Sequence, residues 1–164
     1  MCSSDLSTVG FLDNATGTSA QFNVPIGITT DGTNLYVAEY TYHRIRKIVI
    51  DNGTVTTLAG SSSGSTDATG TSASFNYPEG ITTDGTNLYV ADFGNHRIRK
   101  IVISTGVVTT LAGSSSGSTD ATGTSASFNY PEGITTDGTN LYVADFGNHR
   151  IRKIVISTGV VTTL

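Results

Sequence analysis

Three histidines are the residues of this sequence best suited to chemistry, because an imidazole can bind a metal ion or carry a proton near neutral pH. His43, His96 and His149 are separated by equal intervals of 53 residues. Equal spacing places each histidine at the same point of a repeated unit, so a whole unit separates neighbouring histidines and they cannot share one ion. We therefore expect each to be a turn residue that hydrogen-bonds backbone, and we predict no metal site.

The nine basic residues fall in three clusters that directly follow the histidines. Six arginines are weak candidates for binding phosphate or nucleic acid: Arg44, Arg46, Arg97, Arg99, Arg150 and Arg152. The alternative is that each cluster lies on a solvated outer strand and pairs with Asp and Glu, which also protects strand edges. The net charge of −4 and the scarcity of aromatic residues beside the clusters favour this alternative. We expect no nucleic-acid partner.

Catalytic groups are not singled out by the sequence. A catalytic serine needs a base within reach that is itself oriented, whereas near-identical repeats give near-identical environments and no distinctive pKa. Asp67 and Asp120 lack the spacing of a calcium loop. The single cysteine, Cys2, excludes an internal disulfide. We predict that the chain has no catalytic residue and no cofactor, and that it is not an enzyme.

These positions follow from a 53-residue repeat. Residues 68–111 and 121–164 are identical at all 44 positions, and residues 15–67 differ from 68–120 at only 10 of 53. Such identity arises from recent duplication or from engineering, and the differences in the first copy favour a natural array. We divide the chain into an N-terminal segment, 1–14, and three repeats, 15–67, 68–120 and 121–164.

Each repeat has the pattern of four strands joined by tight turns. In the second repeat the predicted strands are residues 80–84, 88–92, 97–103 and 107–111, which are rich in β-branched and aromatic residues. The turn Asp84–Asn87 contains Gly and Asn, which tolerate a positive φ. We expect the polar connecting segments to be ordered loops held by Phe22, Phe75 and Phe128. Apolar residues on both strand faces require the sheets to stack, so we predict an all-β fold of three four-stranded antiparallel propeller blades.

A resemblance to a known family rests on three motifs. Pro78-Glu79-Gly80-Ile81, Leu88-Tyr89-Val90-Ala91-Asp92 and Asn95-His96-Arg97-Ile98 occur in this order, and all three repeats contain the pattern. The segment resembles the NHL repeat, whose members form β-propellers, commonly with six blades. The resemblance implies blades but not one function, because the family includes metal-dependent lyases, RNA-binding domains and protein-interaction domains. The first repeat departs from the pattern at Glu39, Thr41 and Tyr42.

Three blades are too few to close a propeller, which typically needs four to eight. We therefore expect the chain itself to be the partner, in a homo-oligomer closed by head-to-tail blade contacts. A dimer gives six blades and a trimer nine. Leu6–Gly10 and Val160–Leu164 have similar sequences, and each could supply the outer strand of the blade at which the ring closes.

The remaining observations limit the other partners. No apolar run is long enough to span a membrane. Residues 1–20 lack the charged and apolar regions of a signal peptide, so localisation stays open. We expect a non-catalytic binding or scaffold module, with any ligand near first strands 27–31, 80–84 and 133–137. The alternative is a fragment of a larger NHL propeller that acts as a metal-dependent lyase or binds RNA or protein.

Overall fold

The computed structural model describes residues 12–14 and 16–164, which form three antiparallel four-stranded sheets. Blade 1 contains β1 (Pro25–Thr30), β2 (Asn34–Glu39), β3 (Arg44–Val49) and β4 (Val55–Ala59). Blade 2 contains β5 (Pro78–Thr83), β6 (Asn87–Asp92), β7 (Arg97–Val102) and β8 (Val108–Ala112). Blade 3 contains β9 (Pro131–Thr136), β10 (Asn140–Asp145), β11 (Arg150–Val155) and β12 (Val161–Thr163). Strand order in every sheet follows the chain, which confirms the predicted all-β fold of three blades.

The turn between the first two strands of each blade is fixed by one aspartate. Asp84 Oδ1 accepts hydrogen bonds from the amides of Thr86 at 2.8 Å and Asn87 at 2.7 Å. Gly85 follows Asp84 with a φ of 86°, which a residue with a side chain rarely adopts. Tyr89 donates its hydroxyl to Asp84 Oδ2 at 2.7 Å. The predicted Asp-Gly-Thr-Asn turn is therefore closed by its own side chain.

The hydrophobic core lies between blades rather than within them. One cluster joins Tyr36, Ala38 and Ile45 of blade 1 to Phe75 and Leu88 of blade 2, among others. A second cluster repeats this contact one blade further along the chain. Blade 2 thus buries one face against blade 1 and the other against blade 3, as the apolar character of both strand faces predicts.

Glycine in each first strand allows neighbouring blades to approach closely. A Cβ atom on Gly27 would overlap the carbonyl oxygen of Glu79, and one on Gly80 would overlap the carbonyl oxygen of Glu132. Irregular pairing interrupts β1 and β5 near these glycines. Any side chain at Gly27 or Gly80 would push the first strands apart.

The connecting segments are ordered and pack on the blade that follows them. Phe75 and Phe128 are fully buried, and a parallel bridge links Ser63 to Phe75. Thr69 forms an antiparallel bridge to Val107 at the start of the outer hairpin. Phe75 and Phe128 thus hold the far ends of these loops, as expected, whereas Phe22, the third predicted anchor, is only partly buried and lines an open hollow beside β1.

The outer strand of blade 3 comes from the C-terminal end of the chain. β12 pairs with β11 and supplies the fourth strand of blade 3 from within the same chain. Leu6–Gly10, the predicted competitor for an outer position, lies outside the described residues. Among the described residues, no helix has the length and apolar character needed to cross a membrane.

Candidate functional site

Two of the three predicted turn histidines lie at joints between blades. His43 and His96 are the last residues of the turn that follows the second strand of their blades. Both adopt left-handed backbone conformations, with φ of 54° and 56°. This conformation directs each ring toward the next blade. His43 Nδ1 accepts a hydrogen bond from the Tyr77 amide at 3.1 Å, and His96 Nδ1 accepts one from the Tyr130 amide at 3.1 Å. The histidines therefore bond backbone across a blade boundary.

Aromatic rings surround both joints. The Tyr77 ring stacks on Tyr40 with centroids 4.6 Å apart and meets the His43 ring edge-on at 4.9 Å. Phe93 and Tyr130 repeat the first contact at 4.7 Å. Partial burial, with the Arg44 guanidinium nearby, lowers the pKa of His43 below its usual value. Both joints thus favour the neutral imidazole, which is the form that can accept a hydrogen bond.

The third histidine has no blade beyond it. His149 has the same left-handed conformation, with a φ of 54°, but its ring lines an open hollow of about 260 Å³. Glu132, Phe146 and Arg150 line the same hollow, and Phe146 is 56% exposed. The three histidines lie on different blades. The described residues include no group of three or more His, Cys, Asp or Glu side chains able to hold a metal ion.

The central arginine of each third strand is buried within its blade. Arg46, Arg99 and Arg152 are fully buried, which differs from the solvated strand considered from the sequence. Arg99 Nη1 lies 2.7 Å from Asp92 Oδ2, and Arg99 Nη2 lies 2.7 Å from Asp67 Oδ1. Its guanidinium also stacks over the Phe75 ring at 5.0 Å. These arginines bind the connecting segment to its blade and are shielded from solvent.

The acidic partners of these arginines were not identified from the sequence. Asp92 and Asp145 are partners in blades 2 and 3, and Glu39 takes the same role in blade 1, 3.0 Å from Arg46. Asp13 pairs with Arg46 at 2.6 Å, as Asp67 does with Arg99. An extra residue before Pro25 shifts Asp13 by one position from the 53-residue period. An alignment of the first repeat with the second that allows one inserted residue before Pro25 places Asp13 at the position of Asp67.

The first arginine of each third strand lies nearer the surface. Arg44 is 8% exposed, stacks over Tyr42 at 5.0 Å and lies 3.8 Å from Glu39. Arg97 and Arg150 donate to the carbonyl oxygens of residues 65 and 118 at 3.4 Å and 3.3 Å. The structure thus distributes the six candidate arginines over three blades and brings no two blades' clusters together.

The outer faces of the first and last blades are exposed where their internal equivalents are buried. The blade 1 end face contains Phe22, Ile28, Val37 and Ile48 around a hollow of about 320 Å³. Ile28 is 61% exposed there, whereas Ile81, its counterpart in blade 2, is 6% exposed.

The blade 3 end face is the other half of the same contact. It contains Gly133, Tyr142, Ala144 and Ile151 around a hollow of about 330 Å³. Ile151 is 50% exposed, whereas its counterpart Ile98 is fully buried against blade 3. The array of blades therefore has an exposed apolar face at each end. Each of these faces is equivalent to a surface that is buried at both contacts between blades within the chain.

Comparisons with known proteins agree with this architecture. The model described as "NHL repeat" matches residues 75–101 and 128–154. NHL repeat-containing protein 2 of Homo sapiens is 32% identical over 93% of this chain, which spans 23% of that protein. The chain thus covers less than a quarter of the length of this curated relative.

Solved structures show the same fold. An auxiliary nutrient binding protein of Bacteroides ovatus is 25% identical, with a TM-score of 0.66 over 81% of this chain and 35% of that one. A streptogramin B lyase is 19% identical, with a TM-score of 0.59 over 85% of this chain and 40% of that one. The motifs, the three blades and these matches together place the chain in the NHL-repeat family of β-propeller proteins.

Proposed function

We propose that the chain is a non-catalytic scaffold module whose two end faces join with those of a second copy to form a closed six-bladed propeller. The observation that carries this proposal is the complementarity of the end faces. The blade 1 end face is equivalent to the surface that blades 2 and 3 bury against the preceding blade. The blade 3 end face is equivalent to the surface that blades 1 and 2 bury against the following blade. Apolar faces of this extent favour association.

The backbone at the end faces supports the same contact. Gly27 and Gly80 each lie against a carbonyl oxygen of the next blade, whereas a Cβ atom on Gly133 would meet nothing nearer than Ala144 Cβ at 3.7 Å. In the joined form, Gly133 lies against the carbonyl oxygen of Ile26 in the second copy. The space at Gly133 is thus available for a first strand.

Blade number favours two copies over three. Two copies contribute six blades, within the usual range of four to eight, whereas three contribute nine. A head-to-tail contact produces a closed ring only if its rotation fits the number of units. The ring surrounds a channel lined by the first strands, which is where a ligand would bind.

Solution mass tests this proposal. We expect sedimentation to give twice the 17.0 kDa mass of the chain. Ile151→Asp places a charge in the blade 3 end face and leaves a single copy intact, because Ile151 is half exposed there. This variant should sediment as one copy. Ser157→Asp is the matched control, since blade 1 already carries Asp51 at the equivalent exposed turn position, and it should sediment like the wild type.

Two results would contradict the proposal. A wild-type chain that sediments as one copy would favour the alternative, in which further blades of a longer NHL protein cover both faces. This alternative is supported by the 23% share of the human relative that the chain spans. A stoichiometric metal bound to the purified protein would contradict the non-catalytic role and favour the lyase class, to which a structural neighbour belongs.

A further inference from the structure

One hydrogen bond of the repeating joint is missing at each end of the chain. Tyr77 and Tyr130 donate their amides to the histidine of the preceding blade. Val24 occupies the equivalent position in blade 1, and His149 is the equivalent histidine of blade 3. Among the described residues, neither the Val24 amide nor His149 Nδ1 has a hydrogen-bond partner. The chain therefore presents an unpaired donor at one end and an unpaired acceptor at the other.

The backbone of Val24 is already arranged for this bond. Its φ is 49°, close to the 54° of Tyr77 and the 52° of Tyr130. A positive φ is costly for a β-branched residue. Val24 keeps it without a histidine beside it, and its carbonyl oxygen accepts a hydrogen bond from the Tyr40 amide at 3.1 Å. The amide is thus held in the orientation that the two complete joints use.

We propose that His149 Nδ1 accepts a hydrogen bond from the Val24 amide of the second copy, and that protonation of His149 opens the ring. This inference rests on the proposed function, because it assigns the regulation of the same contact. A neutral imidazole has one nitrogen free to accept, whereas the imidazolium carries hydrogens on both. A protonated His149 would direct an N–H group at the Val24 N–H group and break the joint.

Charged groups around the joint determine how its stability depends on pH. On its own blade, His149 shares a hollow with Glu132, Asp145 and Arg150. From the second copy, Glu39 would approach it in the way that Asp145 approaches His96, and Tyr40 would lie beside Val24. Burial lowers the pKa of His96 even with the Asp145 carboxylate acting in the opposite direction. The complete joint thus disfavours the imidazolium despite a nearby carboxylate.

The sign of the pH dependence follows from linkage. The joint requires the neutral imidazole as its acceptor, and an ordinary histidine side chain takes up a proton below about pH 6.5. Association is then complete above about pH 6.5 and weakens as the pH falls, by up to about tenfold per pH unit for each of the two joints. Glu79 acts in the opposite sense, because burial and the Glu132 charge raise its pKa to about 6 and acid relieves their repulsion. Loss of association in acid cannot come from that pair.

Sedimentation of the full chain at pH 8 and pH 5.5 tests this inference. His149→Asn keeps an acceptor at the δ1 position, tolerates a left-handed backbone and does not titrate in this range. The wild type should associate at pH 8 and separate at pH 5.5, whereas His149→Asn should remain associated at both. His96→Asn is the matched control, because its joint lies within one copy, and it should separate in acid like the wild type.

The possible failures are distinguishable. If the wild type is a single copy at pH 8, the proposed function fails and this inference with it. If the wild type and His149→Asn separate equally in acid, or neither separates, only the inference fails. If His149→Asn cannot associate at pH 8, NMR titration of the wild-type His149 ring decides the matter. A titration midpoint that rises when the sample is diluted supports the inference, and a midpoint that does not depend on concentration overturns it.

Discussion

Arg99 Nη1 and Asp92 Oδ2 lie 2.7 Å apart, and both side chains are fully shielded from solvent. The same arginine holds Asp67, a residue of the connecting segment whose side chain is 45% exposed. One guanidinium therefore links the second strand, the third strand and the preceding loop of a blade. The arrangement recurs in all three blades, so it belongs to the repeat and not to one functional site.

Removal of Asp92 should destabilise the protein far more than removal of Asp67. Asp92→Ala leaves a buried guanidinium short of its buried counter-charge, at a cost of about 3–5 kcal/mol in the free energy of unfolding. Asp67→Ala removes a half-exposed partner and should cost about 1 kcal/mol, because solvent can replace it. Urea denaturation of both variants measures the difference. Equal losses of unfolding free energy in the two variants would show that burial of the Arg99–Asp92 pair does not control its contribution to stability.

Alanine at Gly80 and at Gly133 should have opposite consequences. Gly80→Ala forces its Cβ atom against the carbonyl oxygen of Glu132 within the same chain, and such overpacking costs about 1–3 kcal/mol of stability. Gly133→Ala brings its Cβ atom only into ordinary contact with Ala144 Cβ at 3.7 Å in a single copy, and it should leave thermal unfolding unchanged. It should nevertheless prevent the association of two copies, as measured by sedimentation. An associated Gly133→Ala protein would contradict the proposed contact of the end faces.

The tyrosine that closes the first turn should stabilise blade 2 in a pH-dependent manner. Burial alone would raise the pKa of Asp84, but hydrogen bonds from the Asn87 amide and the Tyr89 hydroxyl hold it below its usual range. A lowered carboxyl pKa contributes stability at neutral pH that is lost as the pH falls below about 4. Tyr89→Phe should cost about 1 kcal/mol at pH 7 and less at pH 3, by urea denaturation. Tyr142→Phe removes the same bond at the exposed blade 3 end face and should cost less; the reverse order would refute the argument.

Neutralising Glu79 should stabilise the protein at neutral pH. Burial, together with the Glu132 charge, raises the pKa of Glu79 to about 6, so the folded chain binds a proton that the unfolded chain releases. Stability from this group is present in acid and decreases as the pH rises from about 4.5 to about 6. Glu79→Gln should match the wild type in acid and exceed it above that range in thermal unfolding. Glu132→Gln should give a smaller gain, because it removes the repulsion but leaves the Glu79 carboxylate buried. The double variant should gain less than the sum of the two, because either change removes the repulsion.

The sequence by itself determined the blades, since strand periodicity, turn residues and the 53-residue spacing are local properties of the chain. The turn Asp84–Asn87 and the loop anchors Phe75 and Phe128 could be predicted because their partners lie nearby in the chain or recur with the period. The burial of Arg99 could not be predicted, because a basic strand has the same sequence pattern whether it faces solvent or pairs with a carboxylate from a loop 32 residues away. The bond from the Tyr77 amide to His43 likewise depends on how two blades meet. Only the stacking of the sheets decided which apolar faces are covered and which remain open, because burial depends on the three-dimensional neighbour and identical repeats acquire different neighbours at the ends of the array.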